Sequence, residues 1–257
     1  RRAKPPSPVL PDGTARPLAA RLVRHPRELP PDDAARLAVV FAEITWRATR
    51  GGAQRFDEAR AFWLGYYATF GNRPEDYDLL VLVEDGDRVV SVLAINLVTV
   101  DIGCLFWLHF AYTEPEYQGR GVLRIATATL SSVSAELPSP TYAVCRTLNP
   151  TVYDIMLGAA GAVPERTTTF HPQLTADGDA VAAPDETRRL ATRIAQVLSP
   201  TCDYDPTHFV IRGFFSEIRH LIGLRYPPSR SAATNRYFER HCDYARGDGA
   251  LIFYTLR

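Results

Sequence analysis

Residues 106–130 read FWLHFAYTEPEYQGRGVLRIATATL and place an apolar strand, a glycine-containing turn and an amphipathic helix directly in sequence. Spacings of three and four residues give the helix one buried stripe, which consists of Val122, Ile125, Ala126, Thr129, Leu130 and Val133. A turn that opens a helix leaves backbone amides without intrahelical partners at the positive end of the helix dipole. The stretch therefore predicts an anion cradle, for which phosphate oxygens are natural occupants.

The turn itself contains two glycines and nearby arginines. Gly119 and Gly121 allow the backbone to approach a ligand closely, and Arg120 and Arg124 add positive charge. The alternative is an ordinary strand, loop and helix in which the glycines only shape the turn. From the turn alone, both interpretations stay open.

The composition is that of a globular chain without a dominant charge. Its 257 residues, 46% of them hydrophobic, can bury a core in one large domain or two small ones. Because 29 basic residues balance 29 acidic ones, we expect no nucleic-acid partner. No apolar run approaches the roughly 20 residues that span a bilayer, and the basic start lacks the apolar core of a secretory signal. We therefore expect a cytoplasmic protein with no membrane partner.

The cysteines favour a reducing compartment. They are widely separated, with no Cys-x-x-Cys pair and no His at a metal-finger spacing: Cys104, Cys145, Cys202 and Cys242. Cys104 and Cys145 fall in predicted strands, where they are most simply small core residues. We expect no metal site.

The remaining elements have a readable order. Residues 1–17 are rich in proline and basic groups and predict a disordered tail, which leaves residues 18–257 as a single domain. The pattern predicts helices at 32–51 and 56–70, a hairpin at 79–100, a strand at 104–113, a helix at 120–136, a strand at 142–148, a helix at 149–161 and strands at 162–170 and 250–256. Residues 171–249 predict an ordered functional insertion with helices at 185–198, 215–222 and 233–242 and a strand at 208–211.

This order and the turn together resemble the GNAT superfamily of acyl-CoA-dependent N-acyltransferases, over residues 32–170 and the final strand. The family's turn carries Arg or Gln, two variable residues, Gly, one variable residue and then Gly or Ala. Here Gln118 and Gly121 match, and Leu123 occupies the last place. The resemblance implies an α+β fold with a GNAT-like, mixed, mostly antiparallel central sheet flanked by helices, and a long insertion before the last strand.

The resemblance also implies that acetyl-CoA or another acyl-CoA is bound in a cleft between splayed strands, largely by the backbone. The residues expected to bind it are Ala111, Tyr112 and Thr113 at the pantetheine arm, Gln118, Gly119, Arg120, Gly121, Val122, Leu123 and Arg124 at the pyrophosphate, and Asn149, which opens the helix after the next strand. The implied activity is transfer of an acetyl or short acyl group to a primary amine by direct attack in a ternary complex. The acceptor would be a small molecule or a protein amine, and the assembly could be a homodimer.

Two other functions stay open. One is a non-catalytic acyl-CoA-binding or regulatory module of the same fold. The other is a related fold that acts on the thioester of an acyl carrier protein.

Acyl transfer requires a neutral amine, and deprotonating an alkyl ammonium at pH 7 costs about 4 to 5 kcal/mol. We therefore expect a base or a water relay. His109 is the only titratable residue among those that alternate with Leu105 and Trp107 on one face of the strand, and its intrinsic pKa suits proton transfer. The alternative is a core histidine. Asp101 and Glu114 are reserve candidates that would act through water.

A tyrosine that protonates the leaving thiolate stands, in many members, seven residues after the Asn. Met156 occupies that place here, and Tyr153 lies almost one helical turn earlier, so Tyr153 is the candidate acid. The helical spacing of Trp63, Tyr66 and Tyr67 predicts either an acceptor pocket or core packing.

Overall fold

The computed structural model describes residues 17–50, 56–70, 73–161, 169–216 and 228–256. These residues form two compact units. The first lies within Arg1–Asn96 and Leu108–Glu136, and the second within Leu97–Trp107 and Leu137–Arg257. The predicted tail lies outside the described residues except for Pro17.

The first unit contains a row of strands in chain order. They are β1 (Ala19–Arg24), β2 (Leu79–Asp85), β3 (Arg88–Val100) and β4 (Gly103–Thr113), of which β3 and β4 also have residues in the second unit. β1 and β3 both pair antiparallel with β2, whose first five residues are buried apolar side chains. The predicted hairpin and strand are confirmed, while β1 was missed because its six residues AARLVR combine arginines with weak strand formers.

Three helices complete the first unit: α1 (Pro31–Arg50), α2 (Phe56–Phe70) and α3 (Val122–Ser134). α1 begins with a proline, which is favourable at the first helical position because the amide there has no intrahelical acceptor. The core of this unit includes Phe41, Ile44, Trp63, Tyr67, Leu80, Leu82, Val92 and Ala94. The bounds of these helices confirm all three predicted helices, and α3 begins two residues later than predicted.

The second unit adds five strands in the sequence β5 (Thr141–Thr147), β6 (Phe170–His171), β7 (Tyr204–Asp205), β8 (Val210–Ile211) and β9 (Gly249–Thr255). The spatial order runs from β4 through β5, β9 and β8 to β7, and β6 also pairs with β9. β5 and β9 are antiparallel, with Val144 opposite Phe253. Of the predicted strand at 162–170, residues 162–168 lie outside the described part of the chain.

Within the described residues of the second unit, the helices are α4 (Pro150–Gly161), α5 (Asp185–Leu198) and α6 (Ala232–His241). The last two confirm the helices predicted at 185–198 and 233–242. α5 buries Ala191, Ile194 and Leu198 against Phe209 and Leu251. The helix predicted at 215–222 is not tested, because residues 217–227 lie outside the described range.

The predicted α+β class is confirmed. The strands are mostly antiparallel, helices flank them, and a long ordered segment precedes the last strand. None of the helices that the structure describes has the length and apolarity that a bilayer crossing requires.

Candidate functional site

The turn between β4 and α3 has the geometry that its glycines predicted. After a short 3-10 turn at Pro115–Tyr117, the chain reaches Gly121, which is the N-cap of α3. Gly119 and Gly121 have φ values of +75° and +79°, in a backbone region that residues with a Cβ rarely adopt. Among the described residues, no atom beyond the neighbouring ones lies within 4 Å of the position that a Cβ would take at either glycine. The turn is therefore open on this side.

The start of α3 presents main-chain donors. The first turn of the helix is closed by a 3.1 Å hydrogen bond from Ile125 N to Gly121 O. The amides of Val122, Leu123 and Arg124 precede this bond, so they have no intrahelical acceptor. They lie at the positive end of the dipole, and the first turn contains no acidic residue. This arrangement favours an anion.

Side chains brace the turn from within the first unit. Gln118 donates from Nε2 to the carbonyl of Thr113 at 3.1 Å, and Tyr117 donates to Asp85 Oδ2 at 2.6 Å. Burial and the contact with Asp85 raise the pKa of Tyr117 to about 12, so the phenol keeps the proton that it donates. The Arg120 guanidinium lies 5.2 Å from the centre of the Tyr117 ring. The turn is thus shaped by side chains and by a 3.2 Å hydrogen bond from Arg120 N to Tyr117 O, while the amides of residues 122–124 lie at the start of α3.

The end of β4 is held by β3. Ser91 donates to the carbonyl of Tyr112 at 2.9 Å and lies 2.8 Å from Thr113 Oγ1. Ala111, Tyr112 and Thr113 are all half-buried. Their contacts to a pantetheine arm stay a prediction.

His109 is half-buried and lies against aromatic rings. Its ring meets Tyr77 edge-on at 5.5 Å, while the adjacent Phe110 stacks on Phe41 at 5.4 Å. Phe41 and Tyr77 are themselves 6.3 Å apart, so two successive residues of β4 reach one aromatic cluster. Strict alternation, on which the catalytic prediction for His109 relied, therefore does not describe the strand here. The catalytic role of His109 stays a prediction.

The three aromatic residues of α2 that were predicted to contact the acceptor differ in exposure. Trp63 and Tyr67 are each 3% exposed, whereas Tyr66 is half-buried and meets Trp63 edge-on at 5.6 Å. Tyr67 shares a hydrogen bond with Thr45, and burial raises its pKa well above the ordinary value. Of the three, Tyr66 is the best placed for contact with a ligand.

Asn149 and Tyr153 lie in the second unit, at the start of α4. Asn149 opens the helix as predicted, since its Oδ1 accepts a 2.9 Å bond from the amide of Thr151. Tyr153 is 3% exposed and donates to the carbonyl of Pro172 at 2.7 Å. Burial raises its pKa. The Tyr153 hydroxyl thus has a structural partner, and its role as a catalytic acid stays a prediction.

The two reserve candidates are both ion-paired. Asp101 contacts Arg193 at 3.0 Å in the second unit. In the first unit, the Glu114 carboxylate lies between Arg47 and Arg88. No local pattern predicts the ion pair between Glu114 and Arg47, because the two residues lie 67 positions apart.

An ion-paired cluster in the second unit surrounds a cavity of about 500 Å³, which neither the turn nor the resemblance predicted. The rings of His208 and His241 stack at 4.2 Å. Their other partners are carboxylates, with Asp205 2.9 Å from His208 and Asp179 3.3 Å from His241. The arginines that line this cavity, Arg212, Arg240 and Arg246, also pair with carboxylates. The described residues include no group of three or more His, Cys, Asp or Glu that could hold a metal ion.

Among known proteins, no family model and no curated sequence matches this chain. Several solved structures are similar to this chain. The chain is similar to GNAT acetyltransferases. One is a GNAT family acetyltransferase from Brucella melitensis in complex with acetyl-CoA, at 17% identity over 50% of this chain and 75% of that one, with a TM-score of 0.31. Another, an acetyltransferase of the GNAT family from Streptococcus pneumoniae, has 11% identity over 61% and 90% of the two chains and a TM-score of 0.34.

A third similar structure is an aminoglycoside acetyltransferase from an uncultured soil metagenomic sample, in complex with sisomicin. It has 9% identity over 62% of this chain and 97% of its own, with a TM-score of 0.36. At such low sequence identities and TM-scores, these similarities support no conclusion about function. The function is inferred from the geometry of the turn instead.

Proposed function

We propose that this protein is an N-acyltransferase that moves an acetyl or short acyl group from coenzyme A to a primary amine. The observation that carries the proposal is the open turn at Gly121. There, a positive φ, open space and the first amides of α3 coincide at one point.

These features fit a diphosphate. Its oxygens accept hydrogen bonds from main-chain N–H groups, and its negative charge is stabilised by the helix dipole. The amides of Val122, Leu123 and Arg124 would hold it, with Gln118 keeping the turn against the end of β4. Leu123 is only half-buried, so its side chain does not occupy the core beneath the turn.

Three of the four cysteines favour direct attack by the amine, while the fourth, Cys202, is half-buried. Cys104, Cys145 and Cys242 are buried, and burial raises the pKa of Cys145 and of Cys242 to about 12. Thiols of this kind are poor nucleophiles near neutrality. In the proposed reaction the amine nitrogen forms a bond to the thioester carbonyl carbon and the carbon–sulfur bond breaks. The amine proton passes to a base or to water, and the thiolate then takes up a proton.

His109 is the candidate base. Its half-buried position on β4 lies two residues before Ala111, within the same strand that leads into the turn. An imidazole with access to water can relay the proton of the amine.

A non-catalytic acyl-CoA-binding module is the second candidate. It is favoured by Tyr153, because the hydroxyl that would protonate the thiolate is buried and bonded to Pro172. A thiolate can nevertheless leave without an acid at a cost of about 2 kcal/mol at pH 7.

An acyltransferase releases free thiol from acetyl-CoA when an amine acceptor is present, whereas a non-catalytic binding module does not. The protein is mixed with acetyl-CoA and a panel of small-molecule and peptide amines, and free thiol is followed with a chromogenic disulfide. Calorimetry with coenzyme A gives the dissociation constant in parallel. We expect binding and amine-dependent thiol release. Binding without release for any amine would support the module, and the absence of binding would refute both candidates.

A further inference from the structure

Glu114 occupies an unusual position for a carboxylate. It directly follows β4, and its side chain is 3% exposed. Its two oxygens have different partners, since Arg47 Nη1 donates to Oε1 at 3.1 Å and Arg88 Nη2 donates to Oε2. The carboxylate thus connects α1 and the start of β3 to the end of β4.

The surrounding charges form a chain with alternating sign. Arg47 also pairs with Glu43, one turn earlier in α1, and Arg88 also pairs with Glu116 at 3.0 Å. Glu114 is the buried member of this chain, whereas Glu116 is 49% exposed. Burial raises the pKa of Glu114, the two arginines oppose that rise, and the neighbouring Glu116 adds to it. Removal of one partner from such a buried group leaves a charge without compensation.

The backbone of Glu114 begins the turn. Its amide donates to Val90 O at 3.0 Å, and its carbonyl accepts from the amide of Tyr117 at 2.9 Å. The first bond extends the contact with β3 to the last residue before the turn, and the second closes the 3-10 turn. Any shift of Glu114 would therefore move the path that leads to Gly121.

We propose that Glu114 is a positioning residue for the coenzyme A cradle. Its carboxylate, held by Arg47 and Arg88, fixes the point at which the chain leaves β4, and through it the amides of residues 122–124. The inference rests on the proposed function. It also replaces the prediction of Glu114 as a reserve base, because both carboxylate oxygens are bonded to arginines.

The turn itself provides a matched control. Glu114→Gln and Glu116→Gln each remove one negative charge from a partner of Arg88, and they differ in burial. Calorimetry with coenzyme A measures the dissociation constant, and steady-state kinetics with acetyl-CoA and a fixed saturating amine separates KM from kcat. Thermal unfolding confirms that both variants are folded at the assay temperature.

We expect Glu114→Gln to raise the dissociation constant and the KM for acetyl-CoA by about tenfold or more, because a small displacement of positioned groups is costly. The kcat at saturating acetyl-CoA should stay within about twofold, since the reacting atoms are not touched. Glu116→Gln should change none of these by more than about twofold, because exposed ion pairs contribute little. Hydrogen exchange at the amides of Tyr117 and Gln118, whose bonds to Glu114 O and Pro115 O close the 3-10 turn, should accelerate in Glu114→Gln alone.

Wild-type affinity and exchange in Glu114→Gln would overturn this inference and leave the proposed function intact. A wild-type protein that does not bind coenzyme A would instead overturn the proposed function, and the positioning role with it. Should Glu114→Gln fail to fold, Arg88→Met breaks the same contact from its more exposed side. Unchanged affinity in that variant would also count against the role.

Discussion

The hydroxyl of Tyr153 donates a 2.7 Å hydrogen bond to the carbonyl of Pro172. The bond joins α4 to the segment that follows β6, and both partners belong to the second unit. It lies in an aromatic environment, with the Tyr153 ring edge-on to Phe170 at 5.1 Å. The hydroxyl of the candidate catalytic acid is thus engaged in a contact within the second unit.

Tyr153→Phe should therefore lower stability. The change removes the donor and leaves a buried carbonyl unsatisfied, at a cost of about 1 to 3 kcal/mol. Urea unfolding compared with the wild-type protein measures the loss. An unchanged midpoint together with a large fall in kcat would show that the hydroxyl serves the reaction instead.

Gly121→Glu should abolish coenzyme A binding, because it places bulk and negative charge at the open side of the turn. The positive φ adds backbone strain of about 1 kcal/mol. Calorimetry with coenzyme A is the measurement. Gly158→Glu on α4 is the control, since that glycine is exposed and also has no neighbouring atom within 4 Å of a Cβ. Equal affinity in Gly121→Glu and wild type would refute the cradle.

His109→Gln should lower kcat by about a hundredfold or more if the imidazole is the base, while the dissociation constant for coenzyme A stays nearly unchanged. The glutamine keeps the approximate size of the side chain that packs against Tyr77. The pH profile of kcat should also change: the fall in kcat at low pH, which protonation of the base causes, should be absent in this variant. Wild-type turnover would remove His109 from the mechanism.

The stacked pair His208 and His241 should make stability depend on pH. Burial lowers the pKa of His241 below its ordinary value of 6.5, and the His208 ring lowers it further. A histidine with a lowered folded-state pKa takes up its proton more readily when the chain is unfolded. Its contribution is therefore present above about pH 6.5 and lost as the pH falls below that value.

Urea unfolding at pH 7.5 and pH 5.5 tests this dependence. We expect the wild type to be less stable at pH 5.5 and His241→Gln to show a smaller difference between the two conditions. Part of the dependence should persist in that variant, because burial lowers the pKa of His171 in the same direction. An identical pH dependence in both proteins would contradict the assignment to His241.

The features that residues 106–130 predicted correctly are those that depend on neighbours in the sequence. The strand, the glycines with positive φ and the amphipathic period of α3 each depend on neighbours within a few positions, so the order of elements and the open turn follow from the sequence. The helical period of α2 similarly predicted its position. It could not show how deeply Trp63 and Tyr67 are buried, because their burial depends on packing against α1 and β2.

The sequence by itself determined the α+β class, the helix that follows the glycine turn and the main-chain donors at its start. Only the tertiary structure placed Glu114 between Arg47 and Arg88, stacked His208 on His241 and joined Tyr153 to Pro172. These contacts join residues 19 to 67 positions apart, and no periodicity or turn signal reports such distances. They form because burial brings the groups together, where a charge or hydroxyl removed from water requires a partner.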